Sequence, residues 1–277
     1  MNTNITSTLS LFVLLSWAMT LRADHNRLTV NLALKMASEQ QVLVQRIANT
    51  YVALCYNKRS AALYVERTNS IEKFDAYFSQ LSMFIPNDRV KEYIQSVRGK
   101  WQAYKKIADW TIKKEAVYDL LIKLEDLAYA TRKLHASYQE YAYSIDPKNI
   151  SLATTNQYIK LITHQQILLE RTVLYHLVDR QEIADVEDLN IYHLLQTTKA
   201  TFLRSLFVLE KSNLPSKDIG FKIAEIKSGW NRLEKYLEPN QISWNDVQAL
   251  LIRTAHLREL MEELFESYKV DTAYMLE

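Results

Sequence analysis

The sequence predicts an all-α chain arranged as two tandem up-down-up-down four-helix bundles, and three observations lead there. Only three glycines and four prolines occur in 277 residues. So few turn-formers cannot supply the hairpins of a sandwich or the phosphate loops of an α/β enzyme. Apolar residues recur at helical spacing almost without a break. Finally, the second half of the chain matches the first at a nearly constant shift.

The elements follow in order. "LSLFVLLSWAMTL", residues 9–21, is too short to span a bilayer comfortably but suits the apolar stretch of a signal peptide. Cleavage after Ala23 would remove residues 1–23 and leave a periplasmic or secreted protein. The segment before the apolar run lacks Lys and Arg, and the alternative is an uncleaved anchor in the inner membrane. Helix one is expected over residues 26–57 and helix two over 60–85. "PND", residues 86–88, stops helix two and offers an N-cap to helix three, which runs to residue 112. Helix four spans 114–144. "DPKN", residues 146–149, is the clearest boundary and separates a unit of residues 24–146 from one of 149–277. Helices five and six cover 151–180 and 186–211. Pro215 breaks the chain before helix seven, which ends near 237, and Pro239 breaks it again before helix eight, residues 244–268.

The self-match keeps its order through all four helices. Gln40, Gln41 and Arg46 recur as Gln165, Gln166 and Arg171 at a shift of 125. Phe74 and Leu81 meet Phe202 and Leu209 at 128, and Trp101 meets Trp230 at 129. "LLIK", residues 120–123, meets "LLIR", residues 250–253, at 130. Each step in the shift falls at or near an expected loop. Four amphipathic helices with short connections bury their stripes most simply as an antiparallel bundle.

Composition excludes more than it assigns. Hydrophobic residues make up 48% and charged residues 24%, a globular balance. With 34 basic and 32 acidic residues, the net charge of +2 gives no reason to expect a nucleic-acid partner. Cys55 has no partner for an internal disulfide and reads as a buried thiol. None of His25, His135, His164, His176, His193 and His256 follows a Glu at the spacing that bundle metal sites use, so no metal ligand is assigned. There is no nucleophile elbow or phosphate loop, hence no catalytic residue, no cofactor, and nothing that argues for an enzyme. Trp101 and Trp230, with Trp110 and Trp244, read better as packing than as a ligand platform. Tyr138, Tyr141 and Tyr143 suit bundle margins, with the ring inside and the hydroxyl at the edge.

"SEQQVLVQRIANTY", residues 38–51, carries the remaining chemistry. Gln40 lines up at helical spacing with Leu43, Ile47 and Leu54, and Gln41 with Val44, Ala48 and Cys55. Both amides therefore touch the apolar side, while Arg46 takes its edge. Gln165, Gln166 and Arg171 repeat the pattern. A buried glutamine left unpaired costs about 1–3 kcal/mol. Either these residues fix register between helices, or Gln40, Gln41, Arg46, Gln165, Gln166 and Arg171 hold a small polar ligand.

Residues 39–51, "EQQVLVQRIANTY", also resemble a known motif. It is that of the N-terminal domain of type IV pilus methyl-accepting chemotaxis transducers, the PilJ-type helical sensor module, whose first helix reads close to N-L-A-G-R-Q-R-M-L-S-Q-R-M-A-K-A-Y. Gln40, Leu43, Gln45, Arg46, Ala48 and Tyr51 match directly, and Val42 and Ile47 stand for methionines. The second unit keeps only Gln165, Leu168 and Arg171, a divergent copy. The motif's second arginine falls at Gln41 and Gln166, and its glycine at Ser38. A neutral amide cannot supply charge-assisted bonds to an anion, so nitrate binding is not carried over. The resemblance implies the fold, an exported location, and a sensor-like binding or accessory role beside an envelope partner such as a transducer or pilus. Family modules pair as dimers with ligand near their first helices. A homodimer is one expectation; the other is that the repeat mimics that pairing, with helix one beside helix five. A scaffold or adaptor of a secretion or envelope complex, without a small ligand, is the competing reading.

Overall fold

The computed structural model describes residues 29–145, 150–181, 183, 189–211, 217–238 and 243–274. Among these the fold is all-α, as the sequence predicts. The helices are α1 (Val30–Tyr56), α2 (Ala61–Met83), α3 (Asp88–Ala108), α4 (Val117–Ile145), α5 (Ile150–Arg180), α6 (Ile191–Lys211), α7 (Lys217–Glu234) and α8 (Trp244–Tyr274). A 3₁₀ turn, Lys114–Ala116, precedes α4. No strand occurs among the described residues. The expected signal segment, the "DPKN" boundary and the breaks at Pro215 and Pro239 lie outside them.

Local chemistry sets the helix starts. Thr29 and Ser60 cap α1 and α2, each accepting the N–H of the third residue beyond. Asn87, the middle residue of "PND", accepts Val90 N–H at 2.9 Å and caps α3. Ser243 and Asp246 form a reciprocal cap on α8, with Asp246 Oδ2 accepting the Ser243 N–H at 2.8 Å and Ser243 Oγ accepting the Asp246 N–H at 3.3 Å. The Ser243 hydroxyl, which donates to Asp246 Oδ2 at 2.7 Å, and then the Ser243 N–H draw the exposed Asp246 carboxyl below its ordinary pKa. Helix three ends at Ala108, before the expected residue 112. The connection that follows returns Ile112 to the core, where it is 2% exposed. Tyr51 then clamps this connection, since its hydroxyl accepts the Lys113 N–H at 3.1 Å and faces the Lys113 carbonyl at 3.3 Å.

Helix α1 packs on α2 and α4, α4 packs on α3, and α2 meets α3 more lightly. The second half repeats this: α5 packs on α6 and α8, α8 on α7, and α6 meets α7 lightly. Between the halves, α1 lies against α5. The two run parallel, because contacts advance together along both: Asn49 meets Glu170, and the Tyr56 hydroxyl donates to the Leu177 carbonyl at 2.8 Å. With neighbours on three sides, α1 is buried almost all round from Ala33 to Leu54, polar Ser38, Gln40, Gln41, Gln45, Asn49 and Thr50 included. A helix buried on every face needs no polar side. This replaces the single stripe suggested by its sequence.

Positions paired by the shift occupy like places. Phe74 stacks on Trp101 with ring centroids 3.9 Å apart, and Phe202 on Trp230 at 4.0 Å. Trp110 is 66% exposed, and Trp244 half-buried. The Tyr138 hydroxyl is not at a margin. It donates within the core toward the Leu81 and Phe84 carbonyls, at 3.1 and 2.9 Å, at the end of α2, where Leu81 also accepts the Phe84 N–H. Tyr143 is exposed and Tyr141 half-buried. Cys55 is half-buried, and burial pushes its thiol up to about 11, so it stays protonated and unreactive near neutral pH.

Candidate functional site

The seam between α1 and α5 gathers the chemistry of the molecule. Glu170, on α5, is 1% exposed. Its carboxylate accepts Asn49 Nδ2 at 2.5 Å, and the same amide reaches the Glu170 carbonyl at 2.9 Å. Arg46 Nε lies 3.4 Å from it and Arg258 Nε 3.5 Å. Arg258 also donates from Nη1 to Glu66 at 2.8 Å. Burial alone would pull the Arg258 guanidinium down, but Glu170 and Glu66 together outweigh it and hold the pKa above its ordinary value. Two cations and two anions from α1, α2, α5 and α8 thus form a cluster that is neutral in sum, so Glu170, the most buried of them, is compensated on both sides.

Two concavities open beside this cluster. One, of about 680 Å³, lies among α1, α2, α5, α7 and α8; the other, of about 400 Å³, lies between α2 and α8 with Arg46 of α1 on its wall. Both fall in the size range of small-molecule sites. Arg46, Glu259 and Glu262 line both. In the larger groove Glu39 accepts Tyr77 Oη at 2.6 Å and pairs with Lys73 at 3.0 Å. Burial first, and then that carboxylate, raises the Tyr77 phenol. Glu259, Glu262, Glu263 and Glu266 all line the groove from α8, spaced so that they share one helical face.

The opposite flank of the seam differs in sign. The shift of 130 sets Tyr129, Arg132, Lys133 and Ala136 where α8 has its four glutamates. There Arg171 Nη2 reaches both carboxylate oxygens of Glu125 at 2.8 Å. Partial burial, and then Arg171, Arg132 and Lys160, lower the pKa of His164. The four glutamates of α8 therefore have no acidic counterpart at the matched positions of α4.

The six residues singled out from sequence separate. Gln40 is wholly buried inside the first unit, and neither amide atom has a hydrogen-bond partner among the described residues. Gln165, its counterpart, donates from Nε2 to the Phe202 carbonyl at 3.3 Å within the second unit. Gln41 is buried and turns back toward the Ala37 carbonyl at 3.5 Å. Arg171 sits on the opposite flank, paired with Glu125. Only Arg46 and Gln166 meet, both lining the larger groove, where Ser38 and Thr163, another pair at shift 125, also stand. Sequence reasoning missed Asn49, Glu66, Glu170, Arg258, Glu259 and Glu262. One signal was available: Glu170 occupies the place of Gln45, so a charge stands where the first copy of the motif has a stripe residue.

Among the described residues no group of three or more His, Cys, Asp or Glu converges as metal ligands, and no helix is long and apolar enough to cross a membrane. The arrangement can pair charges and bind polar molecules. No protein-family model, curated protein or solved structure matches the chain.

Proposed function

We propose that the chain is an exported, non-enzymatic, sensor-like binding or accessory protein. It consists of two PilJ-type four-helix units paired within one chain, and works beside an envelope partner such as a transducer or pilus. One observation carries this reading: the two helices bearing the motif lie parallel and in contact, with a groove open along their edge. Helix α5 takes the place that a second subunit would fill in a homodimer. The stacked Phe74–Trp101 and Phe202–Trp230 pairs support the duplication on which the reading depends.

The test is a thermal-shift panel of small anions, amino acids and envelope fragments. A ligand present at 100 times its Kd stabilises the fold by about 2.7 kcal/mol. Shifts that survive Arg46→Ala and Gln166→Ala would rule out the groove. Export is tested separately, by the N-terminal mass of protein recovered from cell fractions, with Asp24 expected as the first residue. A scaffold without a ligand is the second reading, favoured by Arg46 being held in the buried cluster. It predicts no shift with any compound, and partner capture that depends on the seam.

A further inference from the structure

We propose that the groove binds a zwitterionic amino-carboxylate, the chemistry shared by free amino acids and short peptides. Its carboxylate sits on Arg46 and its ammonium on Glu259 and Glu262. This rests on the groove being the binding site.

Three groups carry the inference because they alone line both concavities. Arg46 spends only Nε, at 3.4 Å, on Glu170. Its two terminal nitrogens have no partner among the described residues. A guanidinium held by one edge and open at the other presents the fork that a planar carboxylate matches. On α8, Glu263 is paired with Lys222 at 2.9 Å and Glu266 with Lys35 at 3.6 Å. Glu262 makes no ion pair within 4 Å among the described residues, though its charge reaches Arg258, and Glu259 has only His256 Nδ1 at 3.9 Å on a 73% exposed side chain. So the acidic face has two members engaged and two open.

The open groups have opposite sign and line the same space, yet no ion pair joins Arg46 to Glu259 or Glu262. A simple anion on Arg46 would meet two carboxylates, neither bound to a lysine or arginine within 4 Å among the described residues. A simple cation on the glutamates would meet the guanidinium and Lys73. A molecule carrying both charges satisfies both at once. Val42, Leu43 and Phe265 supply apolar wall for its remainder. At about 680 Å³ the groove exceeds what one amino acid needs, leaving room for a peptide. The seam's other flank lacks this set, since the counterparts of Glu259 and Glu262 are Tyr129 and Arg132.

Calorimetric titration of the whole chain tests the assignment. The probes are the free amino acids and a set of di- and tripeptides, each beside its N-acetylated and C-amidated forms. A binder is expected among the unmodified probes, and which arm yields it tells amino acids from peptides. Acetylation and amidation should each weaken it at least tenfold. Glu259→Gln with Glu262→Gln, at exposed positions, should do the same while leaving the ligand-free melting temperature unchanged. Arg46→Lys, which keeps the charge and loses the fork, should also weaken it. Equal binding of a blocked form, or unchanged binding in the glutamine variant, overturns the proposal. So does the absence of any binder at millimolar concentration. If an inorganic anion binds in an Arg46-dependent way instead, the zwitterion proposal fails and the groove stands. If nothing of any class binds, both fail.

Discussion

Replacing Glu170 with Gln probes the seam most directly. The carboxylate is 1% exposed, with guanidinium nitrogens at 3.4 and 3.5 Å and an amide at 2.5 Å. At an effective dielectric of about 20, each ion pair at that range is worth about 5 kcal/mol of gross attraction. Desolvation offsets most of that, so the pairs are not strong net stabilisers. Removing one member is different, because Arg258, whose side chain is 10% exposed, would keep Glu66 and the weaker pull of Glu262 as counter-charge. Breaking a buried pair in this way costs about 3–5 kcal/mol. With a urea m-value of about 3 kcal/mol per molar, Glu170→Gln should lower the unfolding midpoint by about 1–2 M. Urea unfolding followed by circular dichroism measures it. Because the loss falls between the two halves, the single transition should also broaden or split. A midpoint change below about 0.3 M, with an unsplit transition, would show that the cluster does not hold the seam.

Other outcomes can be checked on the same protein. Gly229→Ala should destabilise by about 1 kcal/mol, because a Cβ there meets Leu257 Cδ2 at 2.7 Å and the overpacking exceeds the gain in helix propensity. Gly99→Ala, with nothing within 4 Å, should instead stabilise by up to about 1 kcal/mol; opposite shifts in melting temperature are the expected result. Burial, with Lys160 nearby, holds His135 at about 4, and burial with Arg180 and Lys199 does the same to His176. Both rings are depressed from 6.5, so the unfolded chain binds more protons between pH 6.5 and 4. Stability should therefore fall as pH drops through that window, by up to about 1.4 kcal/mol per pH unit for each ring, and His176→Gln should flatten the slope measured by chemical denaturation. Tyr104→Phe removes the buried donor to the Val44 carbonyl at 2.9 Å and should cost about 1 kcal/mol in the same assay.

Helix order and class were legible because their signals are local. A scarcity of Gly and Pro, a cap such as Asn87, and apolar spacing all sit within a few residues of what they determine. The self-match was legible because Phe74 and Trp101 recur as Phe202 and Trp230, and each pair stacks. The chemistry of the seam was less so. Asn49 reaches Glu170 across 121 residues, and Arg258 reaches Glu66 across 192. Pairing between helices far apart in sequence leaves no local mark on either. Glu170 beside Arg171 looks like an ordinary charged edge until α1 covers it. Gln40 and Gln165 were recognised as inward-facing, but spacing alone does not tell a bundle core from a groove. The four glutamates of α8 show their periodicity openly, yet such a stripe usually marks a solvated face.

The opposed flanks of the seam give the molecule an electrical orientation that its net charge of +2 conceals. The α8 glutamates on one side and Arg132, Lys133 and Lys160 on the other set a local transverse difference in charge. A charged partner surface would feel that difference before touching the molecule, a basic one drawn to the α8 glutamates and an acidic one to Arg132, Lys133 and Lys160. That steering acts through solvent and fades over about 8 Å at physiological ionic strength. Added salt should therefore slow a productive encounter while leaving the buried seam intact.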